Sequence, residues 1–198
     1  MDPSPRQAVN AATRIAAGDD RTRYDRVAIS LHWLTVFLVL ANFALGETWG
    51  WFAKPTRHLM VITHMSFGIT LAAVVIARIV WRLIPGHQLP PAAAGLQQLA
   101  AKAVHYLLYG LLALEAALGF VLRWSGGEAM SFFGLQIPSP MAEVSKSTND
   151  LIGHFHEWNG WLIIALAVGH AGAALYHHVV VKDGVLRRMA PWLERRAA

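Results

Sequence analysis

Residues 153–178 read GHFHEWNGWLIIALAVGHAGAALYHH, five histidines in 26 residues that otherwise have the composition of a lipid-spanning helix. No Asp, Glu, Lys or Arg lies between Glu157 and Lys182. A helix rises about 1.5 Å per residue, so roughly 20 apolar residues cross a hydrocarbon layer about 30 Å thick. Ionisable side chains inside such a span are rare and usually functional. Their spacing sorts them. His156 and His170 are 14 steps apart, roughly 1400° of rotation or about 40° short of four turns, so they share a face with about 21 Å between them along the axis. His154 is 16 steps from His170 and points to nearly the opposite side. His156 and His170 can therefore face one interior at two depths, and His154 cannot join them.

Three more charge-poor stretches lie upstream, at Val27–Gly46, His58–Ala77 and Ala103–Leu122, the last broken only by Glu115. The chain of 198 residues is 55% hydrophobic and 15% charged, with a mean hydropathy of +0.39. The expected fold class is all-α, an integral membrane four-helix bundle in contact with lipid. Basic residues set the orientation. Arg6, Arg14, Arg21, Arg23, Arg26, Arg78, Arg82, Lys102, Lys182, Arg187, Arg188, Arg195 and Arg196 fall at one end, and only Lys54, Arg57, Arg123 and Lys146 at the other. Positive charge is retained in the cytoplasm, which predicts both termini cytoplasmic. The pI near 10.0 follows from this asymmetry, and no nucleic-acid partner is needed to explain it. The predicted domains are a polar cytoplasmic arm at 1–22, a four-helix unit at 23–190 and a cytoplasmic tail at 191–198. Residues 1–26 lack the apolar segment of a cleavable signal peptide. With no cysteine, iron–sulfur clusters, Cys-anchored haem and thiolate metal sites are excluded from this chain. The longest connection contains SFFGLQIPSP (131–140), apolar but interrupted by Gly and Pro, and is expected to cap the outer face of the membrane.

The histidines at 156 and 170 need counterparts at matching depth. The first helix runs outward, and His32 lies near its inner start; the second runs inward, and His64 lies near its outer start. His64 is thus level with His156, and His32 is level with His170 to within a turn or two. Two facing histidines at each depth is the geometry of bis-His haem ligation inside a dry bundle. The alternatives are histidines that only hydrogen-bond neighbouring helices, or a zinc or copper ion, for which two imidazoles leave coordination positions unfilled. Gly68, Gly160, Gly169, Ala171, Gly172 and Ala173 near these histidines suit either a flat porphyrin or close helix contact.

Other polar residues carry weaker expectations. Arg78, 14 residues after His64, or Arg82 one turn on, could fork onto a haem propionate or be an inner surface charge. Glu115 should be protonated or paired, bonding another helix or relaying a proton. His177 looks too shallow for a ligand and could line a quinone pocket. His58, His87 and His105 are expected to be structural or solvated. Lys54, Arg57 and His58 form a basic group at the outer end that would attract a small anion.

Four segments together carry a resemblance: YDRVAISLHWLT (24–35), THMSFGITLAAVVIARIVWRL (63–83), HEWNGWLIIALAVGHAGAALYHH (156–178) and KDGVLRRMAP (182–191). The sequence resembles the bacterial cytochrome b561 family over about residues 22–190. The resemblance implies two haem b groups, the inner held by His32 and His170 and the outer by His64 and His156, in the bacterial cytoplasmic (inner) membrane. It also implies exchange with quinone, and for compact members the oxidation of superoxide with ubiquinone as acceptor. The expected function is transmembrane electron transfer from superoxide, or another small outer donor, to ubiquinone; the side of the quinone site is left open. One competing function is a haem-bearing anchor for a partner redox subunit such as a dehydrogenase or hydrogenase. The other is a non-redox protein that handles metal or protons. Glu115 and the length of the arm before Tyr24 depart from the compact members.

Overall fold

The computed structural model describes residues 23–85, 89–90, 92 and 94–194; His87, the whole predicted arm at 1–22 and residues 195–198 of the predicted tail lie outside them. Four long helices dominate: α1 (Arg26–Thr48), α2 (Lys54–Leu83), α3 (Gly95–Ser125) and α4 (Lys146–Tyr176). All four are long and apolar enough to cross a membrane. Each reaches beyond its charge-free stretch, because a helix continues through the polar residues at its ends once its backbone ladder is started. A π-helical turn, His177–Val181, prolongs α4 to a 36-residue rod, about 54 Å long and well over the thickness of the hydrocarbon. Helices α1 with α2, and α3 with α4, pack most extensively; α2 with α3 packs less, and the bundle is joined along these seams.

Helix ends are fixed by local chemistry. The Asp25 side chain accepts the Ala28 N–H at 2.9 Å and caps α1. The same carboxylate takes the Trp81 indole N–H at 3.1 Å, which ties the start of α1 to the end of α2. Pro55 lies in the first turn of α2, where its missing N–H is no loss. Ser145 caps α4 through the Thr148 N–H, and Asn149 donates to Leu122 O at 2.8 Å, joining the start of α4 to the end of α3.

The segment after α4 folds back over the end of the bundle where α1 begins. Tyr24 N–H donates to Arg188 O at 3.2 Å, the Trp33 indole donates to Met189 O at 2.9 Å, and Trp192 packs on Trp33 at 5.4 Å between ring centres. At the opposite end the connection between α3 and α4 contains a β-hairpin, β1 (Met130–Phe132) against β2 (Leu135–Ile137), with Phe132 opposite Leu135. Its two turn residues, Phe133 and Gly134, have φ of 48° and 92°, the left-handed pair that a two-residue hairpin turn requires. The hairpin is seated on α2. Phe133 N–H donates to Ser66 Oγ at 2.9 Å, and Ser66, Met130 and Ser131 are buried. The expected cap is therefore a short ordered sheet pinned to the bundle two residues from His64.

The buried core is small. Leu38, Leu71, Val74, Val75, Leu111, Leu112 and Ile163 form one cluster, while Phe37, Leu40, Ile76 and Val168 are more than half exposed on the helix exteriors. Outward apolar side chains need no protein partner when lipid surrounds them. On every helix the cluster falls midway between an upper and a lower polar position: between His32 and Asn42, His64 and Arg78, His105 and Glu115, and His156 and His170. An apolar layer thus divides the interior into two polar levels.

Candidate functional site

At the hairpin end, His64 of α2 and His156 of α4 face each other with ring centres 6.1 Å apart and planes at 81°. His64 is held from behind. Its Nδ1 lies 3.0 Å from the Asn42 carbonyl oxygen; donating there leaves Nε2 as the free nitrogen. The side-chain amide of Asn42, oriented by its own bonds, donates to His64 O at 2.9 Å and accepts the Gly68 N–H at 3.2 Å. Trp49 covers the pair from the hairpin end, 5.2 Å from the His64 ring. Glycines line it: a Cβ on Gly46 would come 3.7 Å from His64 Cε1, and one on Gly119 would come 3.4 Å from His156 Cε1. A Cβ on Gly68, Gly169 or Gly172 would meet nothing within 4 Å, so no neighbouring helix requires the missing side chain at these three. Glu115 approaches the same pair. Its Oε2 accepts from Asn159 Nδ2 at 2.7 Å, and its Oε1 lies 3.2 Å from His156 Nδ1, off the line of a made hydrogen bond, so that this nitrogen is otherwise unpartnered. Of the roles foreseen for Glu115, contact with another helix is the one the structure contains.

At the other level, Arg78 of α2 reaches His32 of α1, Nη2 to Nδ1 at 3.2 Å, with its guanidinium 5.2 Å from the Tyr109 ring centre. The His170 ring of α4 stands edge-on to His105 of α3 at 5.1 Å. His105, expected to be structural or solvated, thus lies beside His170 at this level. Sequence reasoning also passed over Asn42 and Asn159. A lone amide in an apolar span was the available signal; which histidine it serves depends on the packing.

The remaining histidines lie apart. His154 is exposed, as its rotation predicts, and His58 is exposed at the start of α2. His177 Nδ1 is bonded to Asp183, so it braces the end of α4. Burial nudges the Asp183 carboxyl upward, but the Val185 N–H and the His177 contact outweigh it and hold the group below the usual carboxylate range. Among the described residues no three His, Cys, Asp or Glu side chains converge as a multi-ligand cation site would need.

Four long apolar helices carrying histidines at two levels define the class, a multi-pass membrane protein. Residues 23–192 match the family model described as prokaryotic cytochrome b561, and the chain belongs to that family of membrane electron-transfer proteins that bind b-type haem. It is 33% identical over 177 residues to cytochrome b561 homolog 2 of Escherichia coli K12, covering 84% of this chain and 90% of that protein. It is 35% identical to cytochrome b561 homolog 1 of the same organism, covering 85% and 97%. It is 27% identical to the probable superoxide oxidase CybB of Yersinia pestis, covering 85% and 96%.

Proposed function

We propose that the protein is a di-haem b cytochrome of the bacterial inner membrane that takes electrons from superoxide at its outer side and delivers them to ubiquinone. The observation that carries this reading is the His64–His156 pair, 6.1 Å between ring centres. Two imidazole nitrogens each about 2 Å from one metal would put ring centres about 6 Å apart. His64 and His156 hold the outer haem, and His32 and His170 the inner one. Haem b supplies one-electron chemistry at each level. The protein supplies the rest: Asn42 fixes the His64 tautomer, Gly46 and Gly119 leave room beside the imidazoles, and the apolar layer keeps water out between the levels. Arg78 can accept a second task. Its contact with His32 Nδ1 requires the ring proton to be on Nε2; once Nε2 is committed to a metal, Nδ1 becomes a donor and the guanidinium is released to bind a propionate.

The asymmetry of basic residues supports placing both termini in the cytoplasm, which puts Lys54, Arg57 and His58, all exposed, at the outer side. Cationic residues there raise the local concentration of a small anion. Overall, two superoxide anions are oxidised to two molecules of dioxygen, and one ubiquinone takes up the two electrons with two protons to become ubiquinol. Stopped-flow mixing of the purified protein with superoxide tests the reading. The expected result is rapid appearance of the reduced b-type band and its decay on adding ubiquinone. A band that is reduced only when a co-purifying dehydrogenase or hydrogenase subunit is present would assign the chain as an anchor instead.

Two variants sharpen the test. Lys54→Gln with Arg57→Gln is expected to slow reduction by superoxide about tenfold at low salt and to flatten its dependence on ionic strength, since exposed charges act over roughly 10 Å at 0.1 M. Arg57 also bonds Gly50 O at 3.2 Å, so the single Lys54→Gln variant, which leaves that loop tie intact, should show a smaller change in the same direction. An unchanged rate points to an uncharged donor. His154→Ala should retain the full haem content, because its ring is on the outside of α4; loss of a haem would overturn the rotational assignment of that helix.

A further inference from the structure

The two imidazoles of the outer pair are backed differently. His64 Nδ1 has a neutral backbone carbonyl, that of Asn42, at 3.0 Å. His156 Nδ1 has a carboxyl group, Glu115 Oε1 at 3.2 Å, and nothing else. The carboxyl is placed with some care. Asn159, buried on α4, donates from Nδ2 both to Glu115 Oε2 at 2.7 Å and to Leu111 O at 3.0 Å, so it grips α3 on the same side chain and one turn before it. Gly160 leaves the space the carboxyl occupies: a Cβ there would come 3.3 Å from Glu115 Oε1. One turn further along α3, Gly119 lies against Cε1 of the same His156 ring. Helix α3 thus contributes no ligand at this level but presents a carboxyl to one edge of the ring and bare backbone to another.

We propose that Glu115 is a positioning residue for His156: it receives the Nδ1–H of that ring, fixes Nε2 as the nitrogen offered to the interior, and makes His156 the more basic of the two outer imidazoles. Hydrogen bonds of this kind are often poorly aligned before the site is filled and tighten afterwards. A carboxyl behind a metal-bound imidazole orients the ring and raises its donor strength. A more basic ligand favours the oxidised metal, which carries the extra positive charge. Glu115 therefore holds the outer haem at a lower midpoint potential than two unassisted imidazoles would give, and the inner level, about 21 Å away along α4, is not affected. This inference rests on the proposed ligation of a haem by His64 and His156.

The test is a redox titration at fixed pH of the purified haem-loaded protein, with haem content measured in parallel. Glu115→Gln is expected to keep two haems per chain and to raise the potential of one centre by a tenfold change in its oxidised-to-reduced equilibrium, about 59 mV for one electron, with the other centre unmoved. Gly160→Ala, which keeps the carboxyl but crowds Oε1 away from its place, should shift the same centre in the same direction by less. It decides the matter if the Gln variant does not assemble. Unmoved potentials in both variants, or equal shifts of both centres, would overturn the role of Glu115. A wild-type protein with fewer than two haems would instead remove the ligation on which it rests.

Discussion

Replacing His156 by alanine is expected to take the haem content of the purified protein from two per chain to one, and His64→Ala to do the same. Each of these rings faces the other across the bundle at 6.1 Å, so either substitution removes one of the two side chains that would hold the outer haem. The inner level should survive. It lies about 21 Å away along α4, and the layer of Leu38, Leu71, Leu111, Leu112 and Ile163 packs between the two. Substitutions that far apart, with no shared partner, act nearly independently. A pyridine haemochrome assay reads the change directly, and the remaining centre should titrate at its wild-type potential. Loss of both haems would mean that the levels assemble as one unit.

His170→Ala is expected to remove the other haem and to split the reaction in two. Superoxide should still reduce the outer centre, since the basic residues at 54, 57 and 58 and the His64–His156 pair are untouched. Ubiquinone reduction should fall by about tenfold or more, the scale seen when a metal site loses its support, because the interior then has no carrier at the inner level. The variant also tests His105, whose ring is 5.1 Å from that of His170. A second haem retained in His170→Ala would transfer the ligand role to His105.

The sequence was most legible where one physical constraint acted alone. Lipid excludes charge, so gaps such as Val27–Gly46 and His58–Ala77 marked α1 and α2 before any packing was known. Helical rotation is fixed, so His156 and His154 separated into an inward and an outward residue by counting steps. Legibility ended where the outcome depended on which helices meet. Asn42 and Asn159 are ordinary amides until α1 lies against α2 and α3 against α4. His105 looks like a residue at a helix start until α4 brings His170 beside it. The hairpin was hidden for a different reason. Its turn is Phe133–Gly134, not the Asn–Gly that announces two positive φ angles, and a Phe in that conformation is tolerated here with its N–H anchored by Ser66. His177 resembles a pocket residue in the sequence because its acceptor, Asp183, follows a break in the helix that the apolar pattern does not show.

If four imidazoles hold two iron porphyrins, one above the other, in one chain, then haem b and iron quantified against polypeptide, in protein purified after expression with ample haem, must agree with that count. Two haems and two irons per chain is the expected result, falling to one in His156→Ala and unchanged in His154→Ala. One haem or none in the wild-type protein would contradict it.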